Sequence, residues 1–517
     1  MDAKEPAGSE EVRFEDLDLV YITSFDLGAP IEAEDLKKLL KSFSERYKMV
    51  EGIWIPPERA ELMPQFVYRK ANELGIEDPE KISIEGLMKN KGLWEEINRA
   101  HAMFRAIVLI DEIVFDPEYL ELGRFVRLKL TDLNVSIKDK EVHLNELKCE
   151  LYLLLHSAGV AVLTAWIHLN GNFSTDDLIK IERKLYDAEC TIKGSFRNIV
   201  IRGTLRGFVE QSIMSPLQAT VLFKDEYGSY GAVFDALIRG DITGDKINEK
   251  LRTPYSPVHR AVCIRKHTCN YKCKTAEEAI ERHLRELAGV FGVHGAWRYY
   301  REDTPKKVLG ENLSPDVDYA IFVAGPTSLF LGSPALDEEL ISEEDKELEY
   351  RSRELFLVQP VEFLSLSDMI LKVYNSVYRN MFKEIRERRK RGETVKPSEI
   401  AKIRESLMEG LEEYNNVLLF RSDPERSIME HGKEKLRLSD KVDTLKSLLE
   451  ELGDMARTLY DEEISRKQTI LTAYFGVFGA LGSLLLLPQP FNVVVTAAFL
   501  LYPIYELLSS LYRRVKG

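Results

Sequence analysis

Apolar residues fall in short runs over the first two-thirds of the chain: Leu19–Ser24, Phe104–Phe115, Phe125–Leu130, Ile199–Leu205, Ala261–Arg265, Tyr319–Ala324 and Leu355–Val361. Runs of this length, rich in β-branched and aromatic residues, predict strands; the 3.6-residue repeats between them, at Glu34–Tyr47 and Ala276–Leu287, predict helices. Together they predict an α/β body over residues 12–362, with the Pro-interrupted stretch Arg252–His259 a candidate boundary between two lobes. From Leu364 onward the repeat is helical, with helices predicted over about 364–391, 397–420 and 434–487 and breaks at RRGETVKP and SDPERS.

The third of these helices has an apolar seam, Leu438, Val442, Leu445, Leu449, Leu452, Ala456 and Leu459, at steps of three and four. It runs without a breaker into 38 residues, Gln468–Tyr505, that contain no Asp, Glu, Lys or Arg. A bilayer core about 30 Å thick needs ~20 apolar residues per helix. Pro488 and Pro490 interrupt the run near its middle, so it predicts two spans, about 468–487 and 491–511, joined by a Pro-Gln-Pro turn. Arg466 and Lys467 precede the first span, and Arg513, Arg514 and Lys516 follow the second. Basic flanks stay on the cytoplasmic side, which predicts a cell-membrane protein with both termini cytoplasmic and the turn outside.

A second uncharged stretch, Leu151–Thr175, carries His156, His168, Asn170 and Asn172. Polar groups of this kind are costly in lipid. The stretch is read as the end of a helix followed by a buried strand over Val160–Leu169, with Asn170-Gly171 as a turn signal.

On a helical wheel, the side of the stalk opposite its leucines carries Asp440, Asp443, Ser447, Glu450, Asp454, Asp461 and Ser465. The same side of the first span carries Gln468, Thr472, Gly476, Gly479 and Ser483, while Ile470, Tyr474, Val477, Leu481 and Leu485 face away. Two readings stand. Several copies around an axis would place Asp440, Asp443, Glu450, Asp454 and Asp461 at a cation-attracting mouth, with the polar and small residues lining a pore. Alternatively, the acids are a solvated face and the small residues allow close helix packing.

Composition narrows the classes. The chain has 517 residues, 30% of them charged, and a formal net charge of −14, which argues against a nucleic-acid partner. Five cysteines, odd in number and unevenly spaced, argue for a reducing compartment rather than a disulfide framework. The N-terminus, MDAKEPAGSEEVRFED, has no apolar signal-peptide core. CIRKHTCNYKC holds Cys263, His267, Cys269 and Cys273, but Cys-x3-Cys without a second close pair predicts unligated residues rather than a structural zinc. DEELISEEDKELE predicts a solvated acidic loop or helix, with transient divalent binding as the alternative. KEIRERRKR predicts a basic helix end and RGDITGDK a polar turn that lacks P-loop spacing. No HExxH, nucleophile elbow or dinucleotide fingerprint is present, so no catalytic constellation, enzyme activity or tightly bound cofactor is expected.

The layout resembles the CorA-type magnesium transporter superfamily, most closely over Leu364–Gly517, including LYDEEISRKQTILTAYFGVFGALG, with a weaker likeness at DYAIFVAGPTSLFLG. The resemblance implies a homopentamer, a first span lining a pore, and Mg2+ or another divalent cation as the transported or regulatory ion. The family's Gly-Met-Asn tripeptide at the outer end of that span is replaced here by LLLLPQPFN, in which Gln489 and Asn492 are the nearby polar side chains of the outer mouth. The expected protein is therefore an α/β cytoplasmic domain (1–362), a helical stalk region (363–466) and a two-helix transmembrane hairpin with a basic tail (467–517). Its partners would be membrane lipid, divalent cations and further copies of itself. Its expected role is a divalent-cation channel or transporter; the alternative is a membrane-anchored sensor or scaffold whose hairpin only tethers and oligomerises the α/β body.

Overall fold

The computed structural model describes residues 12–32, 35, 38–39, 125–130, 132–138, 143–194, 197–253, 257–338, 343–391, 393, 395–416 and 423–486, and the helical positions 493, 494, 497, 501 and 505. The expected strand Phe104–Phe115, the Pro488–Pro490 turn, Gln489, Asn492 and the basic tail lie outside them.

Alternation builds the sheet. In β1 (Arg13–Asp26), Leu17, Leu19, Tyr21 and Phe25 enter one apolar core, while Asp18, Val20, Ile22 and Ser24 occupy the opposite face, also buried. The remaining strands are β2 (Phe125–Lys129), β3 (Leu133–Lys138), β4 (His143–His156), β5 (Val160–Ser174), β6 (Glu189–Gly194), β7 (Arg197–Thr204), β8 (Val258–Thr268), β9 (Tyr319–Val323) and β10 (Thr327–Gly332). They form one ten-stranded sheet in the order β7-β6-β3-β4-β5-β1-β8-β10-β9, with β2 paired to β4 beside the end that β3 leaves free. Every pairing is antiparallel except that of β8 with β10. Strands from both sides of Arg252–His259 share the sheet, since β8 pairs with β1.

One face is covered by helix α1 (Thr175–Lys184), the short helices between Leu205 and Lys250, and α2 (Ala276–Phe291). Leu185, Phe208, Leu217, Leu287 and Phe291 fill that core. The other face lies against the N-terminal part of α3 (Glu343–Lys390), 48 residues long, which is followed by α4 (Pro397–Asn416), α5 (Asp423–Lys435) and α6 (Leu438–Leu486).

Four local expectations are corrected. Leu355–Val361 is part of α3, not a strand; Leu355, Leu357, Val358 and Val361 are all buried, so the run has no polar side to reveal its period. Leu151–His156 is the end of β4 rather than of a helix, because burial between two strands overrides the helical preference of leucine. Asn170-Gly171 lies within β5, not at a turn. SDPERS does not break the helices as a unit, because α5 begins at Asp423; the interruption before α6 comes at Arg437, whose φ is +51°.

The chain divides into two units, Met1–Ser376 with Glu412–Val442, and Val377–Leu411 with Asp443–Gly517. The first holds the sheet. In the second, the start of α4 is tied to the end of α3 by Arg388 and Glu399 (2.7 Å), and Tyr378 donates to Glu451 of α6 (3.1 Å). An α/β sheet domain followed by a long helical region is thus the architecture.

Candidate functional site

Most of the stalk seam is buried as its spacing predicts: Leu438, Val442, Leu445, Leu449, Leu452 and Leu459 are each at most 9% exposed, and Ala456 is half-buried. Asp440, Asp443, Glu450, Asp454 and Asp461 are exposed. Asp443 and Asp454 lie only at the edge of ion-pair range of Lys446 (3.8 Å) and Arg457 (3.9 Å) on their own helix. Spread along one helix, these acids do not converge on a point within one chain; a shared site would need further copies.

Beyond Lys467 the helix changes character. Gln468 is exposed, Thr472 and Gly479 are half-buried, and Gly476 is buried; the side chain of Ser483 lies outside the described residues. Ala480, one step round from this stripe, is only 3% exposed. The large apolar residues do the reverse. Ile470, Leu471, Tyr474, Phe475, Val477, Phe478 and Leu481 are 45–68% exposed, and Val493, Val494, Leu501 and Tyr505 are 59–72% exposed. Small residues therefore face the chain and large apolar ones face away, the opposite of a helix packed in water. Among the described residues no helix is long and apolar enough to cross a membrane; the uncharged sequence runs on beyond the end of α6 to Tyr505.

Two polar clusters were not legible as such in the sequence. The first lies between the sheet and α3. Arg265 donates to Glu354 through Nε (2.6 Å) and Nη2 (2.9 Å) and to Asp18 through Nη2 (2.7 Å). Asp18 also accepts from the Trp166 indole and pairs with His168 (2.7 Å). Burial would raise the Asp18 carboxyl, but His168, Arg265 and Arg351 together draw it down to about 2. Alongside, Arg127 grips Glu362 with Nε (2.9 Å) and Nη2 (3.0 Å), and Thr164 adds a third donor (2.6 Å). Asp18, Arg265, Glu354 and Glu362 are at most 2% exposed, so this is a fastener between sheet and helix rather than an open site. Its signal in the sequence is a charge inside an apolar run, as at Asp18 in LDLVYI and Arg265 in VCIRK.

The second cluster joins Cys269 and Cys273, in the loop after β8, to His283 of α2; their ligand atoms all lie within 4.8 Å of one another. Among the described residues this is the only group of three or more His, Cys, Asp or Glu so placed. Burial works to raise the Cys269 thiol, but the Cys273 backbone N–H, the His283 ring and the Cys273 thiol outweigh it and bring it to about 7. Cys263 is in β8 and belongs to the opposite face with Arg265. His267 is buried beside the cluster but outside it.

No family model, curated protein or solved structure matches the chain. The class is therefore defined by the fold alone: an α/β sheet domain with a long helical region after it.

Proposed function

We propose that the chain is a membrane-anchored, self-assembling protein whose C-terminal helices hold the α/β domain at a lipid surface. The observation that carries this reading is the inverted burial of α6 beyond Lys467. An exposed face of Ile, Leu, Tyr, Phe and Val, continued at Val493, Val494, Leu501 and Tyr505, is favourable against lipid tails and costly in water. Burial of Gly476 and Ala480 within one chain supports close packing, which small residues allow in a bilayer. In this reading the 38-residue uncharged run forms two spans, and the basic residues on both flanks stay on the same side.

A second reading, a divalent-cation channel or transporter of CorA-like layout, is favoured by one observation: the exposed acids Asp440, Asp443, Glu450, Asp454 and Asp461 spaced along α6. Arranged as a ring of copies they would concentrate Mg2+ or a similar ion at a mouth leading to Gln468, Thr472, Gly476, Gly479 and Ser483. Particle symmetry in detergent, combined with divalent-ion flux into liposomes, separates the two. An oligomer that stays in carbonate-washed membranes and passes no divalent ion supports the anchor; flux above empty liposomes, abolished by Gly479→Leu with the oligomer intact, supports the channel. Release of the protein from membranes by carbonate would refute both.

A further inference from the structure

We infer that Cys269, Cys273 and His283 form a Zn2+ site that ties the loop after β8 to helix α2. The loop is built for it. Lys272 takes a left-handed conformation, φ +49°, and its N–H donates to the Cys269 carbonyl (3.2 Å), which turns the chain so that both thiols point the same way. The two Sγ atoms are 3.5 Å apart and the cysteines are not joined. Two Zn–S bonds of ~2.3 Å at the tetrahedral angle place their sulfurs about 3.8 Å apart, close to that separation. A disulfide requires ~2.05 Å.

The histidine supplies an independent observation. His283 is 1% exposed, and among the described residues neither of its ring nitrogens has a hydrogen-bond partner. Glu286 Oε1 is 4.0 Å from Nδ1, too far for a hydrogen bond. A buried imidazole without partners is costly, and metal ligation through one nitrogen removes half of that cost. The backbone at His283 departs from helical geometry (φ −118°, ψ 30°), a local distortion of α2 at the ligating position. Glu286, one turn on, is placed to orient the second nitrogen, as carboxylates commonly do for ligating histidines.

The donor set selects the metal. Two thiolates and an imidazole are soft to borderline ligands, suited to Zn2+ and unsuited to Mg2+ or Ca2+. Cys269 is half-exposed, and the fourth tetrahedral position is left to water. Both cysteines bind as thiolates, so affinity falls as pH falls. This site is separate from the C-terminal helix and does not depend on how that helix functions.

The test uses the full chain, purified in detergent, kept reduced, stripped with a chelator and titrated with Zn2+ and with Co2+. One metal per chain is expected, with a thiolate-to-Co2+ charge-transfer band and tetrahedral ligand-field bands. Zn2+ should slow alkylation of Cys269 and Cys273 by at least about tenfold, read peptide by peptide. Cys273→Ser should abolish stoichiometric binding, His283→Gln should weaken it by at least about tenfold, and Cys149→Ser should leave it unchanged. Equal alkylation with and without Zn2+ in the wild-type chain would overturn the assignment, a result that needs no variant to fold. So would intact binding in Cys273→Ser, or formation of a Cys269–Cys273 disulfide by a chain that takes up no zinc when reduced.

Discussion

Arg265 of β8 and Glu354 of α3, 89 residues apart, meet through two parallel hydrogen bonds of 2.6 and 2.9 Å, and neither is more than 2% exposed. Both groups are out of water; burial lifts the Glu354 carboxyl to about 7, and Arg265 is the largest pull against that. Glu354→Ala should lower stability by ~3–5 kcal/mol, because it removes the two-bond carboxylate partner of a buried guanidinium. The double variant Arg265→Met, Glu354→Met should recover part of that loss. Urea unfolding of the solubilised chain, run as a double-mutant cycle, checks it; a Glu354→Ala cost below ~1 kcal/mol would mean that the site takes in water and re-solvates the charge.

Glu182 gives the opposite case, a buried carboxyl whose oxygens have no hydrogen-bond partner among the described residues. Burial lifts it from 4.5 to about 8, against the weaker pull of Arg260 and Arg183. Between those values the folded chain keeps a proton that the unfolded chain releases, so stability falls as pH rises from about 4.5 to 8. Glu182→Gln should flatten this slope and stabilise the chain at pH 8 and above, on the order of a few kcal/mol at ~1.36 kcal/mol per unit. Unfolding midpoints of both proteins at a series of pH values test it, and parallel curves would rule it out.

Gly159 sits in the β4–β5 turn at φ +71°, where an added Cβ would lie 1.8 Å from the Ala29 carbonyl oxygen. Gly240, at φ +79°, has nothing within 4 Å of the same position. Gly240→Ala should cost only the left-handed backbone penalty of ~1–2 kcal/mol. Gly159→Ala should cost clearly more, because it also displaces backbone and the Arg252 guanidinium that donates to the Gly159 carbonyl (2.8 Å). Equal thermal shifts for the two variants would show that the turn yields freely.

The helices and the sheet differ in how openly the sequence announces them. The seam from Leu438 to Leu459 was legible because only one side of that stalk is buried, so period and burial coincide. Strands such as Leu19–Ser24 and Tyr319–Ala324 were legible from short apolar runs. Leu355–Val361 was misread because a helix buried on several sides has the composition of a central strand. His283 was missed for another reason: its link to Cys269 and Cys273 exists only once α2 folds back on the loop. The one trace of it is a histidine ten residues after the second cysteine.

The packing side of α6 can be tested by size. Ala480 is 3% exposed and its neighbour Leu481 is 51% exposed. Ala480→Leu should destabilise the packed arrangement by ~1–3 kcal/mol, whereas Leu481→Ala should leave it intact. Thermal aggregation of the detergent-solubilised protein reads both, and a harmless Ala480→Leu would place the contact surface elsewhere.

Because α6 runs unbroken from Leu438 to Leu486, its acidic stalk and its small-residue stripe are locked in angular phase. One residue inserted between Tyr460 and Lys467 would turn everything beyond it by ~100° and advance it by ~1.5 Å, putting Phe475 where Gly476 now lies and Phe478 where Gly479 now lies. Seven inserted residues would bring the two faces back to within ~20° of their original alignment, displaced by about two turns. The length of the stretch between Tyr460 and Lys467 thus sets how the acidic side and the small-residue side of the helix are turned relative to each other.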